Sequence, residues 1–184
     1  NPIRLRNVLL NGQKIVIYGY GTIGRRLAEL LAPYKMQIVG VRRSEASENG
    51  VKMVTLDSAD AELADADHVM NILPGGTSTT GYFDASRFAM MKKGAFYYSI
   101  GRGTTTNARD LTGVLKNEYI SAAYLDVTDP EPLPADDPLW SAPNCFITPH
   151  IAGGYIGERT AQIDHFVGNL ESFVKNEALL DRVI

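Results

Sequence analysis

The chain has one cysteine, Cys145, so no internal disulfide can form and the core must be held by packing alone. A lone cysteine also favours a reducing, cytoplasmic setting over a secreted one. Long apolar runs are missing: none approaches the roughly 18 residues that a membrane-spanning helix needs. The first residues carry Arg4 and Arg6 with no hydrophobic signal core behind them. Basic charge is not in excess either. Against 18 Lys and Arg stand 21 Asp and Glu, a formal net charge of -3. That leaves no surplus to displace counterions from a nucleic acid or to hold an anionic membrane. Internal repeats and low-complexity tracts are also absent. The chain begins with Asn1 and not methionine, and a trimmed or processed start is expected.

What remains is an ordinary globular composition, 45% hydrophobic and 21% charged over 184 residues. That length fills one good core, and a second complete domain is not expected. Apolar strands alternate with helices along it. Residues 14–18 (KIVIY) read as a buried strand, 22–32 as a helix with Pro33 marking its end, and 37–41 and 52–56 as strands. Asp57 or Ser58 is placed to cap a short helix through Leu63. Residues 69–73 read as a strand closed by Pro74-Gly75-Gly76, and 85–91 as a short helix. Lys92, Lys93 and Gly94 suit a helix C-terminus, with glycine in the left-handed position. The second half repeats the rhythm: strand 95–100, helix 108–116 capped by Asn107, strand 121–127, a proline-rich loop over 130–143 and strand 145–148. A long amphipathic helix over 155–174 follows, with Ile156, Ile163, Phe166, Val167, Leu170, Phe173 and Val174 on one face. The fold class is α/β: a doubly wound parallel sheet of the Rossmann, dinucleotide-binding type. Its ligand sits beyond the carboxyl ends of the strands, where the strand order reverses. The whole of 1–184 is read as this one domain with a C-terminal helix from about residue 155.

Residues 19–24 (GYGTIG) lie between a predicted strand and a predicted helix, the context in which a GxGxxG motif binds a pyrophosphate. Gly19 permits the tight turn, Gly21 lets the backbone approach the phosphates, and Gly24 lets the helix pack on the strand. About 20 residues further on, NAD-specific folds place an acid on the ribose hydroxyls. This chain has Arg42, Arg43 and Ser44 there and no acid. Two guanidinium forks and a hydroxyl suit a 2′-phosphate, so NADP is the preferred coenzyme and NAD the alternative.

Three polar residues follow strand ends in the second half: Arg102, Glu131 and His150, with Asp126 closing the strand before Glu131. The topology brings them to one crevice. Reduction of a 2-oxo acid needs a hydride donor, a proton donor to the carbonyl oxygen and a cation for the carboxylate. Histidine is the natural acid/base near neutral pH, a bonded carboxylate favours its imidazolium form, and Arg102 supplies the cation. No metal is implied.

At these residues the chain resembles the D-isomer-specific 2-hydroxyacid dehydrogenases. The stretches 19–24 (GYGTIG), 99–104 (SIGRGT), 125–132 (LDVTDPEP) and 148–154 (TPHIAGG) match the signatures of that family in order and spacing, over nearly the whole chain. The resemblance implies that Arg102 binds substrate, that His150 is the acid/base and that Glu131 is its partner. It implies that Asp126 bonds the nicotinamide carboxamide and that Ile100, Gly101 and His150 through Gly153 border the coenzyme. Thr22 and Ile23 match positions that meet the pyrophosphate, and Leu73 and Pro74 match the adenosine side. Thr128 stands where the family often has phenylalanine. The Arg-Arg-Ser run resembles glyoxylate/hydroxypyruvate reductase-like members, and the Glu131–His150 pair is unlike the formate dehydrogenase branch. Family members begin with roughly a hundred residues of substrate domain, a separate folding unit. No such stretch precedes the glycine loop here. The chain is therefore expected to bind the dinucleotide and to turn over a small 2-oxo or 2-hydroxy acid poorly, and a homodimer is implied. Two other activities share this triad by resemblance: the C-terminal-binding corepressors, which use nucleotide to control assembly, and phosphite dehydrogenase.

Overall fold

Every residue of Lys14–Tyr18 is buried, and this β-branched, aromatic-ended run forms β1. The computed structural model describes residues 8–43 and 50–181. Within them the elements alternate as the pattern predicts. They are α1 Thr22–Leu31, β2 Gln37–Val41, β3 Lys52–Val54, β4 His68–Asn71, α2 Ala85–Met90, β5 Phe96–Ser99, α3 Ala108–Lys116, β6 Ala122–Leu125, β7 Cys145–Ile147 and α4 Glu158–Val174. Ser44, one of the residues expected at the phosphate, lies outside the described residues.

The chain divides into two compact units, Asn1–His150 and Ile151–Ile184. The first holds a seven-stranded, wholly parallel sheet in the order β3-β2-β1-β4-β5-β6-β7. Successive side chains of a strand point to opposite faces, and β1 divides accordingly. Val16 and Tyr18 enter one core with Val69, Phe83, Phe88 (α2), Tyr97 and Leu111 (α3). Ile15 and Ile17 enter the other with Ala28 (α1) and Met53. From β1 the chain first winds one way, to β2 and β3, and then returns to β4 and winds the other way. The reversal opens a crevice at the carboxyl ends of β1 and β4, the place where this architecture holds ligands.

Local differences from the sequence reading have physical causes. Proline does not stop α1 abruptly, because Ala32–Tyr34 continues as a 3-10 turn with Pro33 in its first positions, where the missing N–H costs nothing. Ser58 occupies the cap position of the 3-10 turn Ala59–Glu62 but makes no side-chain cap; its hydroxyl donates back to the Thr55 carbonyl. Lys92 lies beyond α2 and pairs with Asp67 at 2.6 Å, so its charge does not serve the helix end. Gly94 is left-handed, as expected, at φ +85°. β4 ends at Asn71 and not Leu73, since the Asn71 side chain accepts the Leu73 amide and turns the backbone out of the ladder. Asn107 caps α3 by accepting from the Asp110 amide.

The second unit carries α4. Its Ile163, Phe166, Val167, Leu170, Phe173 and Val174 share a side, as the spacing predicts, and none of its residues is buried. Gly157, left-handed at φ +97°, starts the helix later than expected, so Ile156 precedes it. Asn169 clasps the tail: its side chain donates to the Leu180 carbonyl and accepts from the Leu180 amide.

Candidate active site and coenzyme groove

The turn after β1 is fixed by close approach. Gly19 has φ +94°, and a Cβ there would lie 2.7 Å from the Ile72 carbonyl oxygen, so the loops that follow β1 and β4 touch. A Cβ on Gly24 would stand 3.1 Å from the Gly19 carbonyl, which is the tight helix–strand packing assigned to this position. Gly21 differs, because a Cβ there meets nothing within 4 Å and would project into open space. No side chain caps the N-terminus of α1. Its first amides are therefore available to an anion at the positive end of the helix.

A groove of about 670 Å³ runs over this loop. Gly19, Gly21, Thr22 and Ile23 line it, and so do Arg42 and Arg43 at the end of β2 and Leu73 and Pro74 after β4. The structure thus gathers the residues assigned to the adenosine and pyrophosphate ends, and the open glycine and uncapped helix fit a dinucleotide. Gly75 through Thr79 line the same groove. The sequence reading has Pro74 through Gly76 as a turn and passes over the hydroxyls of Thr77, Ser78 and Thr79, although a Thr-Ser-Thr run directly after a strand-ending turn is an available signal.

Arg102 is held by close contacts on both sides. A Cβ on Gly101 would come 2.4 Å from the Leu73 carbonyl oxygen, and one on Gly103 only 1.9 Å from that of Thr128. The loop bearing Arg102 is therefore sandwiched between the loops after β4 and β6, and neither neighbour leaves space for a side chain. The Arg102 guanidinium is exposed and donates through Nη1 to the Gly101 carbonyl at 2.8 Å.

Glu131 and His150 form a pair. Glu131 Oε1 accepts from the Thr128 amide at 2.9 Å, and its Oε2 lies 2.9 Å from His150 Nδ1. The hydrogen bond from His150, then that from Thr128, together with the charges of His150 and Arg102, hold the Glu131 carboxyl below the usual carboxylate range. An ionised Glu131 only accepts, so Nδ1 carries a proton and Nε2 is the ring nitrogen left to exchange one. His150 sits in the left-handed backbone region, φ +52°, with its amide bonded to the Thr148 carbonyl. Strained backbone of this kind gathers at functional positions.

Asp126 is buried at the end of β6 and accepts from Thr148 Oγ1. With Thr128, Glu131 and His150 it lines a cavity of about 590 Å³, walled on its apolar side by Leu133, Trp140 and Ile147. The Trp140 ring is fixed by its Nε1 donating to the Pro134 carbonyl. Ile100 and Gly101, expected to border the coenzyme, stand at the head of the Arg102 loop and line neither the groove over the glycine loop nor the cavity beside His150. Gly153 belongs to the second unit. Among the described residues no group of three or more His, Cys, Asp or Glu side chains is arranged to hold a metal ion.

Residues 2–152 match the family model of the D-isomer specific 2-hydroxyacid dehydrogenase, NAD binding domain. A hydroxypyruvate reductase from Blautia hydrogenotrophica is 32% identical over 169 residues, covering 90% of this chain and 52% of that protein. Among solved structures, a probable 2-hydroxyacid dehydrogenase from Rhizobium etli, in complex with NADP, HEPES and tartaric acid, aligns with a TM-score of 0.88 and 26% identity. It covers 96% of this chain and 57% of its own. An NADPH-dependent glyoxylate/hydroxypyruvate reductase from Sinorhizobium meliloti, in complex with NADP and sulfate, gives 0.85 and 26%, covering 97% and 58%. The chain thus spans somewhat over half the length of the proteins it resembles.

Proposed function

The chain belongs to the D-isomer specific 2-hydroxyacid dehydrogenases, by way of their NAD-binding domain, and on that premise we propose that it serves the reduction of a small 2-oxo acid to the D-2-hydroxy acid. The observation that carries the reading is the His150–Glu131 pair at 2.9 Å, which follows β6 and β7 at the carboxyl edge of the sheet whose other strands, β1, β2 and β4, bear the groove over the glycine loop. A bound nicotinamide coenzyme supplies the hydride; the chain supplies the rest. His150 gives its proton through Nε2 to the carbonyl oxygen. Glu131 fixes the ring through Nδ1 and stabilises the positive charge it carries before transfer. Arg102 holds the substrate carboxylate by a charge-assisted bond, and Asp126 accepts from the carboxamide side of the coenzyme.

NADP is the proposed coenzyme. Arg42 and Arg43 both line the groove where a 2′-phosphate would lie, and two structural relatives were solved with NADP. Glyoxylate and hydroxypyruvate are the proposed substrates, in keeping with the relatives' activities. A cytoplasmic homodimer is the proposed state; the partly exposed Tyr124 and Phe146 on the sheet face offer an apolar surface for pairing.

The test is isotope transfer. Stoichiometric chain, NADPH deuterated at the nicotinamide C4, and glyoxylate or hydroxypyruvate are mixed, and deuterium in the hydroxy acid is followed by mass spectrometry. The proposal expects deuterated product with both oxo acids. Deuterium found in neither, with NADPH bound, would refute it.

A further inference from the structure

At the heart of the sheet lies a polar cluster that the reaction chemistry does not itself use. Asn71, at the end of β4, has no solvent exposure, and Tyr97, Ser99 and Thr105 around it are as deeply buried. A buried amide must find partners for both its oxygen and its nitrogen, and here each is matched. Asn71 Oδ1 accepts from the Leu73 amide at 3.1 Å. Its Nδ2 donates to Thr105 Oγ1 at 2.8 Å and to Tyr97 Oη at 2.9 Å. Thr105 Oγ1 in turn donates to the Arg102 carbonyl at 2.7 Å, and Tyr97 and Thr106 share a bond of 2.7 Å. The amide's orientation is dictated by its neighbours, since an N–H faces one end and hydroxyl oxygens face the other.

The two loops joined in this way are those the site needs to keep in register. Leu73 opens the segment that lines the coenzyme groove, and Arg102 is the cation beside Glu131. Close packing brings the loops together, as Gly101 against the Leu73 carbonyl shows. The β4–β5 ladder sets their offset as far as the Ile100 amide on the Asn71 carbonyl, 3.0 Å. The side-chain bonds carry that register on to the Leu73 amide and the Arg102 carbonyl.

We propose that Asn71 is a positioning residue that ties the coenzyme-facing loop at Leu73 to the substrate-facing loop at Arg102 through Thr105, so that Arg102 meets the substrate carboxylate at a set distance from the coenzyme. This rests on the reading of Arg102 as the carboxylate holder. Neither Asn71 nor Thr105 touches substrate; each acts through backbone groups.

The experiment uses the chain with two readouts. NADPH affinity is taken from nicotinamide fluorescence, and a non-reducible substrate mimic, oxamate, is titrated onto the NADPH-bound chain. Thr105→Val is close to isosteric and removes both bonds of the Thr105 hydroxyl, to the Arg102 carbonyl and from Asn71 Nδ2, while Asn71 keeps its bonds to the Leu73 amide and Tyr97. It is expected to raise oxamate half-saturation about tenfold while leaving NADPH affinity within about twofold, the effect of losing the buried hydrogen-bond link between Asn71 and Arg102. Thr105→Ser should restore oxamate binding, and Asn71→Leu, which severs both ends, should weaken both ligands. Arg102→Ala separates the two ideas. If it leaves oxamate binding unchanged, the carboxylate role of Arg102 fails and the positioning role goes with it. If Arg102→Ala weakens oxamate and Thr105→Val does not, the positioning role alone is overturned. Equal loss of both ligands in Thr105→Val, the mark of general loosening, overturns it as well.

Discussion

Glu131 is kept ionised by two donors, His150 Nδ1 and the Thr128 amide, each at 2.9 Å. Its pKa in the folded chain lies below the ordinary value of 4.5. A carboxylate depressed on folding contributes stability that is present above its unfolded pKa and is lost as pH falls through the folded one. The side chain is 39% exposed, so solvent screens the effect and it is small. Calorimetry of the wild type and Glu131→Gln should therefore show the wild type melting higher near neutral pH, with the gap closing below about pH 4. A gap that widens in acid contradicts the assignment. Arg42 carries a second prediction at this scale. Replacing a guanidinium that recognises phosphate by a carboxylate should weaken NADPH binding by about tenfold or more while NADH is spared. Equal loss of both coenzymes in Arg42→Asp would remove the case for a 2′-phosphate site.

The elements were the most legible part of the sequence. The bounds of β1, β2 and α3 follow from KIVIY, from QIVGV and from the Asn107 cap, because in each the local signal and the tertiary burial agree. Strand-end placement also foretold that Arg102, Glu131 and His150 converge, since parallel strands present all their carboxyl ends at one edge. What could not be read is how the loops meet there. The meeting of His150 with Glu131, the approach of Gly103 to the Thr128 carbonyl and the burial of Asn71 depend on neighbours distant in the chain. No local propensity announces them. The tightest of these contacts yields a prediction: Gly103→Ala places a methyl 1.9 Å from the Thr128 carbonyl oxygen, so the loops after β5 and β6 must part. Urea unfolding should register a loss of about 1–3 kcal/mol, the range for forcing atoms into a filled site. A variant as stable as the wild type would show that the loops yield freely.

Across the whole molecule the reversal of winding at β1 and β4 does the essential work. It places the glycine loop, the arginines of β2 and the second-half strand ends along one edge, so that the groove over the glycine loop and the His150–Glu131 pair share that edge. The proposed catalytic pair is open to water: His150 and Glu131 side chains are 47% and 39% exposed. Charges that act in water act weakly, and transfer in a wet site is slow. The chain is accordingly expected to bind NADPH and to transfer hydride at a low rate. The most direct check of the account is the single-turnover rate of NADPH oxidation by glyoxylate, compared between the wild type and His150→Gln with coenzyme saturating. Loss of a positioned acid should slow the step by about a hundredfold or more and leave NADPH affinity within about twofold. Equal rates in the two proteins would contradict His150 as the proton donor and the reading of the site built on it.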